Sequence, residues 1–117
     1  MDFRGKVALI TGSSRGIGSA IAKAFAAEGA AVAINYKNDQ VTASNVVQEC
    51  ESLGGIASSF QADVTVPSEG IHLVDMVQSE FGKIDILVNN AFRPYQFNPE
   101  KRKMFWDLNW EHYQSQI

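Results

Sequence analysis

The stretch Lys6-Val7-Ala8-Leu9-Ile10-Thr11-Gly12-Ser13-Ser14-Arg15-Gly16-Ile17-Gly18 decides the fold. Lys6 to Thr11, with Val7 to Ile10 unbroken and apolar and a glycine closing it, has the pattern of a strand buried on both faces. Ile17, Ile21, Ala24 and Phe25 then recur at helical spacing, which predicts a helix that Gly29 ends after Glu28. Between strand and helix lies a glycine-rich turn. Gly12 takes backbone angles that a side chain forbids. Gly16 lets the chain come close to an anion, and Gly18 lets the helix pack closely. The N–H groups at the helix start would face that anion, with the positive end of the helix dipole behind them.

The same alternation continues outward. Ala31-Val32-Ala33-Ile34-Asn35-Tyr36 predicts a second strand. Val46, Val47, Cys50 and Leu53 predict a second amphipathic helix closed by Gly54-Gly55. Ile56 to Ala62 is a strand diluted by Ser58, Ser59 and Gln61. Pro67 suits a first helical turn, with Thr65 as its cap, and Ile71, Val74, Val77 and Phe81 carry the helix to Gly82. Ile84-Asp85-Ile86-Leu87-Val88 is the fourth strand, stopped by Asn89-Asn90, and a last helix is expected within 101–117. Strands alternating with helices pair in parallel through right-handed crossovers. The expected fold is therefore α/β: a Rossmann-type doubly wound parallel sheet of order 3-2-1-4. Its ligand crevice lies at the carboxyl ends of strands 1 and 4, where the winding reverses.

Composition removes several functions. The chain has 117 residues, a length that predicts one domain. Ten Lys and Arg against thirteen Asp and Glu give a net charge of -3, which speaks against a nucleic acid or an anionic membrane as the main partner. The single Cys50 allows neither a disulfide framework nor a cysteine zinc site. His72 and His112, the only two histidines, have no ligand-like spacing. The four apolar residues Val7 to Ile10 are too short for a secretory signal or a membrane span, so a cytoplasmic protein is expected.

The glycine spacing is Gly-x3-Gly-x-Gly, and Ser19-Ala20 after Gly18 rules out a phosphate-binding loop of the Gly-Lys-Ser/Thr kind. The turn alone has two readings: a dinucleotide cradle, or a glycine-rich bend used only for close packing. Two later motifs join it. Thr11, Gly12, Gly16 and Gly18, then Asp63-Val64, then Asn89-Asn90-Ala91 appear in the order found in short-chain dehydrogenases/reductases, and the sequence resembles that family along essentially its whole length. Phe92 stands where the family has a glycine after the alanine. The subgroup it resembles is the 3-oxoacyl-[acyl-carrier-protein] reductase type. The resemblance implies an oxidoreductase that reduces a carbonyl or oxidises an alcohol. It also implies Asp63 as acceptor for the adenine amino group, with Val64 beside it, and Asn89, Asn90 and Ala91 around the cofactor ribose. The residues by themselves equally allow Asp63 to cap a helix and the asparagines to be a plain turn.

The end of the second strand discriminates between cofactors. NAD needs a carboxylate there for the ribose 2′-hydroxyl, whereas a 2′-phosphate repels one. Asn35-Tyr36-Lys37 contains no acid, and Lys37 and Arg15 are cations a phosphate could meet, so NADP(H) is the expected cofactor. The expected contact set is Gly12, Ser13, Ser14, Arg15, Gly16, Ile17, Gly18, Asn35, Tyr36, Lys37, Asp63, Val64, Asn89, Asn90 and Ala91. The other reading leaves Arg15 and Lys37 as ordinary solvated charges.

In the resembled family a Tyr with Lys four residues on, and a Ser after the fifth strand, carry the proton chemistry. Here Tyr36 is followed by Gln40, Tyr95 by Pro99 and Tyr113 by Ile117. The chain thus reads as the cofactor half of a longer enzyme, expected to bind cofactor without reducing a ketone by itself. A fourth strand lacking a fifth neighbour would expose an edge, and Phe92, Tyr95, Phe97, Phe105, Trp106 and Trp110 would lack cover, so a homo-oligomer is expected. The competing readings are a non-catalytic nucleotide-binding module and a self-assembling unit with an empty crevice.

Overall fold

The structure, a computed structural model, describes residues 2–90. Seven elements follow one another: β1 (Val7–Ile10), α1 (Gly16–Ala27), β2 (Ala31–Tyr36), α2 (Gln40–Ser52), β3 (Ile56–Gln61), α3 (Pro67–Phe81) and β4 (Ile86–Val88). The sheet has the expected order, β3-β2-β1-β4, and each pairing is parallel. Leu9 stands opposite Ala33 of β2 and Leu87 of β4, so β1 is central.

β1 is fully buried because each face meets a helical layer, and its residues alternate between them. Ala8 and Ile10 pack with Ala22 and Ala26 of α1 and with Ala43, Val46 and Cys50 of α2. Val7 and Leu9 pack on the other face with Leu73, Val74 and Val77 of α3. This is the doubly wound arrangement.

The structure departs from the sequence expectations in detail. The buried residues of α1 are Gly18, Ser19, Ala22 and Ala26; Ile21 and Phe25 are half-buried, while Ala24 is exposed and Ile17 is 73% exposed. Small residues face the sheet because they let the helix axis approach it, and the larger apolar side chains flank that line. Leu53 caps α2 and is 47% exposed rather than part of its buried face.

Thr65 does not cap α3. Val66 occupies the cap position without a side-chain hydrogen bond, and the Thr65 hydroxyl donates to Asp63 at 2.6 Å. Pro67 opens the helix as expected, and Gly82 ends it in the left-handed region at φ 83°. β3 stops one residue short of Ala62. β4 begins at Ile86, not Ile84, because the Asp85 carboxylate rather than a backbone carbonyl accepts the Val7 N–H at 2.8 Å. The last helix, the aromatic residues from Phe92 to Trp110, Tyr113, His112 and Ala91 lie outside the described residues. Among the described residues β4 pairs with β1 alone.

Candidate functional site

The turns after β1 and β4 meet where the winding reverses. Backbone continues the pairing past the strands: the Thr11 N–H donates to the Val88 carbonyl at 3.0 Å. The Asn90 N–H then donates to the Thr11 hydroxyl at 2.9 Å, and the Asn90 amide donates to the Gly12 carbonyl at 3.2 Å. The Asn89 side-chain oxygen lies 3.3 Å from the Thr11 hydroxyl. Asn89 and Asn90 therefore stand beside the glycine turn, as the motif order anticipates.

Within the turn, Gly12 and Gly16 have φ of 60° and 63°. At Gly18 an added Cβ would lie 2.6 Å from both the Gly12 carbonyl and the Asn90 amide, and 2.9 Å from Ser13 Cα, so helix and turn touch backbone to backbone. At Gly16 an added Cβ would meet nothing within 4 Å, so the space over the helix start is open. The turn over residues 11–14 closes on Arg15, and the N–H groups of Ser14, Gly16, Ile17 and Gly18 make no hydrogen bond among the described residues. Ser14 is 8% exposed and its hydroxyl makes no hydrogen bond among the described residues. Buried polar groups are normally satisfied. Open space, unpaired N–H donors and a helix start together accommodate an anion such as a diphosphate.

Not every residue of the expected contact set faces this space. Asn35 is 2% exposed and lies beneath the turn. Its side-chain oxygen accepts the Gly12 N–H at 2.9 Å, and its amide donates to the Phe60 and Ala62 carbonyls at 3.3 and 3.2 Å. Tyr36 packs in the core layer shared with α1 and α2, and Val64 in the layer shared with α3. For these three the side chain builds the site from below. Ser13 is likewise internal: its hydroxyl donates to the Ile10 carbonyl at 2.6 Å and accepts the Asn35 N–H at 2.9 Å.

The charged rim lies at the ends of β2 and β3. Lys37 is exposed and its ammonium stands 3.5 Å from the Asp63 carboxylate. Burial pushes the Asp63 carboxyl up, but hydrogen bonds from the Thr65 hydroxyl and N–H, with the Lys37 charge, outweigh it and hold the group below the usual carboxylate range. Asp63 forms a local turn with Thr65 and does not cap α3, and its own N–H donates to Glu69 at 2.9 Å. Arg15 is exposed, and its backbone is extended at the start of α1. The Thr42 hydroxyl and N–H bonds hold the Asp39 carboxyl low, and the Arg15 charge adds to that; Arg15 follows β1 and Lys37 follows its parallel neighbour β2, so both leave the sheet at its carboxyl end.

Sequence reasoning passed over Asp39, which caps α2 by accepting the Thr42 N–H at 3.0 Å. Its signal was an Asp immediately before a helical pattern. It also passed over Gln61, whose amide holds the Lys37 carbonyl at 3.0 Å. Among the described residues no cluster of His, Cys, Asp or Glu could hold a metal ion, and no helix is long and apolar enough to cross a membrane.

Comparison with known proteins agrees with this geometry. The short chain dehydrogenase family profile matches residues 6–115. An uncharacterized oxidoreductase of Methylorubrum extorquens is 47% identical over 89 residues, covering 76% of this chain and 36% of that protein. A crystal structure of a short chain dehydrogenase from Burkholderia cenocepacia J2315 in complex with NADP superposes with a TM-score of 0.76 at 43% identity, over 93% of this chain and 46% of the other. The structure of an NADH-dependent reductase complexed with NAD superposes with a TM-score of 0.75 at 33% identity, over 92% of this chain and 47% of the other. The chain spans about a third of the length of the curated relatives it matches.

Proposed function

The chain belongs to the short chain dehydrogenase family, and on that premise we propose that it binds NADP(H) at the carboxyl ends of β1, β2 and β4. The diphosphate sits over the N–H groups at the start of α1, from Ser14 to Gly18. The adenine amino group is taken by Asp63 beside the Val64 backbone, and the ribose next to the nicotinamide lies along Asn89, Asn90 and Ala91. Bound there, the dinucleotide supplies a hydride to a carbonyl carbon or accepts one from an alcohol.

The preference for the phosphorylated cofactor rests on one observation. β2 ends in Asn35 and Tyr36, both buried, the exposed cation Lys37 follows it, and the exposed Arg15 follows the neighbouring parallel strand β1. No carboxylate stands on that strand end to accept a ribose 2′-hydroxyl. Asp39, two residues beyond Lys37, lies off the strand and caps α2 through Thr42. A 2′-phosphate would draw on Arg15 in a bidentate fork and on Lys37 as a point charge.

For the whole protein the proposed reaction is reduction of a carbonyl or oxidation of an alcohol, of the 3-oxoacyl reductase type. This sequence contains no Tyr followed four residues later by Lys. What its own residues do is bind and orient the dinucleotide. Calorimetric titration with NADPH and NADH tests the reading. NADPH should bind about tenfold more tightly or better, a difference of about 1.4 kcal/mol, and the gap should close in an Arg15→Ala/Lys37→Ala variant. Equal or reversed affinities in the unaltered protein would overturn the cofactor assignment.

A further inference from the structure

We propose that Asn35 is a positioning residue that holds the phosphate turn open for its ligand, with Ser13 as its partner; this rests on the dinucleotide reading above. The observation is a convergence. One buried amide, 2% exposed, ties together three segments that border the crevice. Its oxygen takes the Gly12 N–H at 2.9 Å, and its two amide hydrogens reach the Phe60 and Ala62 carbonyls, just before Asp63. Its backbone completes the clasp: the Asn35 N–H donates to the Ser13 hydroxyl at 2.9 Å, and the Asn35 carbonyl accepts the Ser13 N–H at 3.0 Å.

The consequence follows from direction. A turn has a limited number of N–H groups, and each points either into the protein or toward a ligand. Asn35 draws the Gly12 and Ser13 N–H groups inward, at a Gly12 φ of 60°. Of the N–H groups that follow, those of Ser14, Gly16, Ile17 and Gly18 make no hydrogen bond among the described residues. An aliphatic residue at 35 would leave the half-buried Gly12 N–H without its internal acceptor, and the turn would shift to find it another partner. The same side chain fixes the carbonyls ahead of Asp63, so it also sets the distance between the diphosphate end and the adenine end of the crevice. Asn35 touches no ligand in this account; it acts through Gly12 and Ala62.

The test compares Asn35→Ala and Ser13→Ala with the unaltered protein, at a temperature where circular dichroism shows each folded. NADPH fluorescence titration gives affinity, and amide hydrogen exchange gives protection at Gly12. Asn35→Ala should weaken NADPH by about tenfold and raise Gly12 exchange by a similar factor, beyond any change in global unfolding. Ser13→Ala should shift both in the same direction by less, and it carries the test if Asn35→Ala does not fold. NADPH affinity within about twofold in folded variants, with Gly12 protection unchanged, overturns the proposal. Should the unaltered protein bind no NADPH, the cofactor reading fails, and Gly12 exchange alone then decides: faster exchange in the variants upholds the clasp, and unchanged exchange overturns it.

Discussion

The Thr11 hydroxyl accepts the Asn90 N–H at 2.9 Å, which fastens the loop after β4 to the end of β1 at the reversal of winding. Thr11→Val keeps the shape and removes that acceptor. The expected result is a loss of about 1–3 kcal/mol in urea unfolding, since a half-buried N–H loses its partner. An unchanged unfolding midpoint would mean that the two loops are held together by other bonds.

Gly18 and Gly70 give opposite expectations for the same substitution. Gly18→Ala forces a Cβ to 2.6 Å from the Gly12 carbonyl, and backbone cannot step aside. It should cost about 1–3 kcal/mol and displace the turn. Gly70 lies inside α3, where an added Cβ meets nothing within 4 Å. Gly70→Ala should stabilise by about 0.5–1 kcal/mol by restricting the unfolded chain. Thermal melts of the two variants should therefore move apart, one down and one up.

Acid should weaken the start of β4. The Val7 N–H and the Lys83 ammonium, at 2.8 and 3.1 Å, hold the Asp85 carboxyl below its ordinary value of 3.8. With the folded-state value depressed, the contribution is complete above the unfolded pKa and is lost as pH falls through the folded one. Asp85→Asn should flatten the decline of melting temperature below about pH 4. A variant whose acid profile overlays that of the unaltered protein would remove Asp85 from the account.

Cys50 should be inert. Burial against the α1 and α2 layer pushes its thiol up to about 11, so it is a protonated core group at neutral pH. A disulfide reagent at pH 8 should label it only as fast as the protein unfolds. Stoichiometric labelling of the folded protein would contradict the packing described.

Much of this was legible before any coordinates. The strand-turn-helix at 6–18 and three further alternations specify a parallel sheet, because short apolar runs joined by amphipathic helices have few other ways to bury both faces. What periodicity could not show is which apolar residues of α1 face inward: close packing on the sheet selects Ala22 and Ala26 over Ile17 and Ala24, and size is decided by the partner surface. Asn35 was harder still. A polar residue at a strand end reads as a ligand contact, and only its three hydrogen-bonded neighbours, 23 to 27 residues away in sequence, show that it faces inward. Asp63 likewise offered cap and contact equally, and the Thr65 hydroxyl settled its local geometry as a turn.

The central claim is that the N–H groups from Ser14 to Gly18 form the anion cradle, and amide chemical-shift mapping tests it most directly. Titrating NADP into isotopically labelled protein should shift the amides of 14–18 together with Lys37 and Asp63, and leave the exposed face of α3 around Asp75 and Ser79 unmoved. Saturable shifts confined to any other surface, with 14–18 unchanged, would contradict it.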